Sequence, residues 1–102
     1  MEKIEIKLLS EDEYKFNEWC NIQYNWHKLV CVDYMTHVVK DIGMVHHYIL
    51  RNCKTKRLLH ISFSKKSIIC SIVKNRKKEI GIYQGYNWKE CVIKIEDLWL
   101  NV

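Results

Sequence analysis

The chain has 102 residues, 48% apolar and 12% aromatic, enough for one hydrophobic core and too few for two, so a single domain over 1–102 is expected. Its formal charge is +5, and no apolar run approaches the roughly 20 residues that cross a bilayer, which sets a membrane role aside. The charge is polarised: residues 1–41 hold eight acids and five bases, residues 42–102 four acids and twelve bases, so the second half carries a field suited to a polyanion or an acidic protein surface.

Residues 3–9 alternate Ile4, Ile6 and Leu8 with Lys3, Glu5 and Lys7, the pattern of a half-buried strand. Ser10 and Glu13 have capping-box spacing, and Glu11 and Asp12 place negative charge where a helix begins. From there Phe16, Trp19, Cys20, Gln23, Trp26 and Val30 fall at helical spacing. Val30, Tyr34, Val38 and Ile42 then recur every fourth residue, with Gly43 as a helix-ending residue. The reading is one bent helix or two helices over 11–42, its weakest stretch being Leu29–Tyr34, whose β-branched content also suits a strand.

Beyond Gly43 the period drops to two. Apolar runs over 44–51, 57–64, 67–74, 79–84 and 91–98, separated by short Lys-rich breaks, predict a five-stranded antiparallel meander. The expected class is α+β, a sheet with helices packed on one face.

There is no Pro and no Ala, and only three Gly and three Arg stand against fourteen Lys. These scarce types share GC-rich codons, so the coding sequence reads as AT-rich and part of the lysine excess as mutational bias. Cys20, Cys31, Cys53, Cys70 and Cys91 are odd in number, lie ten or more residues apart and form no C-x-x-C pair. With most at apolar positions they read as free thiols in a reducing, cytoplasmic setting.

Three features bear on function. First, Arg51 to Lys78 contains ten bases and no acid. Alternate turns of a meander share one end of the sheet, so Arg51, Lys54, Lys56, Arg57, Lys74, Arg76, Lys77 and Lys78 are expected to form a cationic pole able to neutralise phosphates. Second, Tyr83, Tyr86 and Trp88 lie near two glycines in a strand-to-loop passage and are expected to stack on bases beside that pole or to anchor a protein interface.

Third, His46 and His47 point to opposite faces of a strand, and one of them is expected to oppose or lie diagonally from His60. His60-Ile61-Ser62 matches one H-x-S unit of the 2H phosphoesterases, and Gly81-Ile82-Tyr83 the first half of the GIY-YIG nuclease signature. The second unit of each is missing. No metal-ligand spacing, phosphate loop, dinucleotide fingerprint or serine elbow is present, so no cofactor, metal or catalytic residue is assigned.

These features support a non-enzymatic binding protein docking on a protein or ribonucleoprotein target. The alternatives are direct RNA or DNA binding, and a small phosphodiester-acting enzyme using His47 and His60. The profile of a short basic chain from AT-rich coding sequence resembles in style the phage-encoded inhibitors of bacterial defence, anti-CRISPR proteins among them. That resemblance covers no motif and implies a nuclease or ribonucleoprotein effector as target.

Overall fold

The computed structural model describes residues 11–75 and 78–101. Their order is α1 (Glu11–His27), five strands β1 (Leu29–Val39), β2 (Gly43–Asn52), β3 (Arg57–Phe63), β4 (Ile68–Asn75) and β5 (Lys78–Gly85), then α2 (Trp88–Ile95), which runs into a π-turn over Glu96–Leu100. The strands form one antiparallel sheet in sequential order. Among the described residues no helix is long and apolar enough to cross a membrane.

The α+β class and the five-stranded meander are as the sequence implies, but two elements change identity. Residues 29–39, expected as helix, form β1; residues 91–98, expected as the last strand, lie in α2 and the π-turn. The expected strand over 3–9 lies outside the described residues. A period of four is also a multiple of two, so Tyr34 and Val38 share a face in a helix or a strand, and the β-branched run decides for the strand. In α2 the decisive spacing is Trp88, Cys91, Ile95 and Trp99, all buried, which is a helical stripe. Asn87 caps that helix by accepting from the Lys89 backbone N–H at 2.8 Å.

α1 stops at His27 because Lys28 turns to the left-handed region (φ 54°) and donates its backbone N–H to the Tyr24 carbonyl. Gly43, expected to end a helix, instead opens β2 with φ 96° after Asp41 at φ 70°. This pair of positive φ angles makes the tight β1–β2 connection, where glycine carries no Cβ penalty.

Both helices cover one face of the sheet. Phe16 of α1 sits 4.8 Å from the Tyr48 ring, 5.1 Å from Phe63 and 5.3 Å from Trp88, a tilted and edge-on cluster that favours fixed geometry over a fluid core. Leu50, Leu59, Ile61, Cys70 and Ile95 fill the space around it with no exposed surface. The helices are also joined directly, the Trp88 backbone N–H donating to the Asp12 carboxylate at 3.3 Å.

One polar group lies within this apolar layer. Glu13 is fully buried on α1; its Oε1 accepts from Tyr48 O–H and, at 2.8 Å, from His46 Nδ1. The Tyr34 hydroxyl lies 3.4 Å from the same imidazole nitrogen. Burial, and then the Glu13 carboxylate, push the Tyr48 phenol above its ordinary pKa. Glu13, half of the expected capping box, thus turns its carboxylate to the sheet.

Two substitutions test this frame. Glu13→Ala leaves His46 and Tyr48 buried without their shared acceptor, and we expect a loss of about 3–5 kcal/mol in urea unfolding, with Glu13→Gln losing less because an acceptor remains. Asn52, 2% exposed, holds the β2–β3 turn by accepting from the Lys54 and Thr55 backbone N–H groups. Asn52→Ala is expected to cost about 1–3 kcal/mol by the same measurement.

Candidate functional site

The β2–β3 turn and the β4–β5 hairpin lie at the same end of the sheet, since Leu58 pairs with Val73 and Asn75 with Lys78. Lys56, Arg57, Lys74 and Asn75 line one shallow groove there, floored by Leu58, Ile72 and Val73. Among the described residues Lys56, Lys74 and Lys78 form no ion pair. Arg51 is exposed on the same end, and Lys54 donates from Nζ to the Trp26 carbonyl at 3.1 Å, next to the negative end of α1. Arg76 and Lys77 lie outside the described residues.

The aromatic residues do not join this pole. Trp88 is 5% exposed and packs edge-on against Phe16 and Trp19, because it begins the buried stripe of α2. It is a core residue, not a surface anchor. Tyr83 spends its hydroxyl on the loop into α2, donating to the Asn87 carbonyl at 3.0 Å and accepting from the Asn87 N–H at 3.2 Å. Its ring lies so close over Gly85 that a Cβ there would come within 2.4 Å of the hydroxyl. Tyr86 is 80% exposed but follows the far end of β5, roughly 25 Å from the pole at about 3.3 Å per residue.

The other face of the sheet carries a second constellation. Because side chains alternate along a strand, His46 enters the core while His47 emerges on the side away from the helices. There His47 is diagonal to His60, its cross-strand partner being Ser62. His37 arrives from β1, where Val45 is its partner and His47 its diagonal neighbour. Ser71, a small residue, is the β4 partner of His60, and across it Glu79 of β5 reaches the His60 ring.

The distances define a relay. Glu79 Oε1 and Oε2 lie 3.1 and 3.2 Å from His60 Nδ1; His60 Nε2 is 3.2 Å from Ser62 Oγ and 2.9 Å from His47 Nδ1. Ser62 Oγ is 2.9 Å from His47 Nδ1, and His47 Nε2 is 2.8 Å from His37 Nδ1. The His37 and His47 rings stack at 4.6 Å.

An ionised carboxylate only accepts, so with neutral imidazoles one end fixes the rest. His60 donates from Nδ1 to Glu79 and offers the Nε2 lone pair. Ser62 O–H reaches that lone pair at 3.2 Å, His47 Nδ1–H stands 2.9 Å from both the lone pair and Ser62 Oγ and is shared between them, and His37 Nδ1–H donates to His47 Nε2. Every group is satisfied and every proton points towards Glu79.

Desolvation, and then the neighbouring imidazoles of His60 and His37, hold His47 below the ordinary histidine pKa, which keeps it neutral as this arrangement needs. Among the described residues no three His, Cys, Asp or Glu side chains converge as a metal-ligand set. Cys70 and Cys91 are buried, Cys20 is half-buried, and Cys31 and Cys53 are exposed, all five as free thiols. Burial, with Cys31 nearby, pushes the Cys20 thiol up to about 12.

Strand alternation in the sequence brings His47 and His60 together, and the one role it offers them is that of a phosphodiester-acting pair. It left out Glu79 and His37, whose contacts depend on registers between strands, although the His60-x-Ser62 spacing does place those two side chains on one face. Comparison with known proteins finds no matching family model, no matching curated protein and no matching solved structure.

The relay carries a pH signature. A group with a lowered folded pKa contributes stability that is complete above its unfolded value, near 6.5, and is lost as pH falls through the folded value. We therefore expect unfolding free energy to drop on acidification below about 6.5, with less of a drop in His47→Gln. NMR titration of the imidazole signals checks it directly, the His47 inflection falling below that of an unperturbed histidine.

Proposed function

We propose that the protein works by docking on an anionic macromolecular surface through the basic end of its sheet. The observation that carries this reading is the shared groove of Lys56, Arg57 and Lys74, with Lys78 beside it, at an end where Lys56, Lys74 and Lys78 have no carboxylate partner among the described residues. Cations left without internal partners retain their field for a ligand and speed encounter with it.

The position of the aromatics favours electrostatic docking over base stacking, since Trp88 is buried and Tyr86 lies at the other end of the sheet. Such docking fits a nucleic-acid backbone or an acidic protein patch. A nucleic-acid-processing complex offers both, and an inhibitor of one is the concrete form of this proposal.

Fluorescence anisotropy with labelled single-stranded RNA, duplex DNA and polyglutamate, each at two salt concentrations, tests it. The wild-type chain is expected to bind at least one of these at low salt. For a nucleic acid, Lys56→Ala/Lys74→Ala/Lys78→Ala should weaken binding and flatten the slope of log affinity against log salt by about 2 to 3. Absence of binding to all three polyanions at low salt, or an unchanged slope in the triple variant, removes the proposal.

A further inference from the structure

We propose that Ser62 is an activated nucleophile and that the open face of the sheet holds a site for hydrolysing acyl esters, with His60 as general base and Glu79 as its positioning residue. The inference rests on the relay and not on the basic end.

Three geometric requirements of a serine nucleophile are met. The hydroxyl lies within hydrogen-bond reach of an imidazole nitrogen, at 3.2 Å. The opposite nitrogen of that ring faces a carboxylate at 3.1 Å, which fixes the tautomer and makes the Nε2 lone pair the proton acceptor, although His47 Nδ1–H also reaches that lone pair at 2.9 Å. A further donor, His47 Nδ1–H, stands 2.9 Å from Ser62 Oγ. It bonds to the hydroxyl in the resting state and is the donor nearest the carbonyl oxygen that becomes the oxyanion when Ser62 Oγ adds to the acyl carbon. His47 must stay neutral and keep this tautomer to do so, in agreement with its depressed pKa.

The surroundings indicate the substrate. Ser62 and His47 line a groove of about 660 Å³ whose apolar walls are Val39, Ile42, Val45 and Ile69, a volume in the range of small-molecule sites. Aliphatic walls beside a nucleophile suit the acyl chain of an ester, and Gln84 and Lys66 on the same rim suit a polar alcohol portion.

The chemistry needs no other component than water. Ser62 Oγ bonds to the acyl carbon as its proton passes to His60 Nε2. The tetrahedral adduct collapses, breaking the bond to the alcohol oxygen, which departs with that proton. Water, giving a proton to the same nitrogen, then attacks the acyl-serine; the acid leaves and Ser62 regains its hydrogen.

The test is covalent labelling with an alkyl fluorophosphonate, read by peptide mass spectrometry, alongside hydrolysis of p-nitrophenyl butyrate. The wild-type protein should carry one adduct, on Ser62, and release a stoichiometric burst of p-nitrophenolate. Ser62→Ala should lose both, and His60→Ala should slow both by about 100-fold or more. Glu79→Gln should lower kcat at near wild-type KM and slow fluorophosphonate labelling while the final adduct still reaches one per chain, whereas loss of fold would lower that final stoichiometry. No adduct on folded wild-type protein after prolonged exposure, an adduct on another residue, or ester hydrolysis undiminished in Ser62→Ala would each overturn the assignment.

Discussion

A buried carboxylate without partners would be several kcal/mol too costly for a domain of this size to retain. Glu13 is retained because His46 and Tyr48, two residues apart on β2, present donors to it from the sheet. That contact fixes where α1 lies along the strands, and the Phe16 ring, one helical turn on, then falls among Tyr48, Phe63 and Trp88. Apolar packing alone tolerates sliding; a directional hydrogen-bonded anchor does not. The placement of α2 follows, since the Asp12 carboxylate one residue before Glu13 receives the first N–H of that helix.

The same strand divides two kinds of histidine chemistry. His46 and His47 are neighbours in sequence and point opposite ways. One completes a buried structural contact; the other joins an accessible relay. The helices cover the first and leave the second open. The relay's carboxylate is Glu79, so the two histidine systems draw on different acids and are not in competition. Separating the anchor from the open face lets that face change residues without disturbing how the layers stack.

The meander from 43 to 85 is readable because its polar breaks interrupt alternating runs, and the basic end follows from alternation of turns. β1 was obscured by a bulge: Cys31 pairs with Leu50 and Asp33 with Ile49, leaving Val32 unpaired. An inserted residue reverses the parity, so Cys31 and Tyr34 face the same side and no single period-two pattern spans the strand. α2 was obscured for the opposite reason, since Val92, Ile93, Lys94 and Ile95 read locally as strand while the true period shows only when Trp88 and Trp99 are included. Trp88 reads in sequence as equally suited to surface and core, because the loop before it is rich in glycine and tyrosine. Glu79 lies 19 residues from His60, and only the β3–β4 and β4–β5 registers, with a small Ser71 between, make them neighbours.

The β2–β3 turn has one more property. Asn52 is locked under it, Lys56 holds a left-handed backbone (φ 61°) and its N–H is bonded to the Asn52 carbonyl at 2.7 Å. The backbone beneath the cations is therefore ordered by folding, before any ligand arrives. Association through Lys54, Lys56 and Arg57 of this turn then surrenders side-chain freedom alone, about 0.5–1.5 kcal/mol per immobilised lysine or arginine.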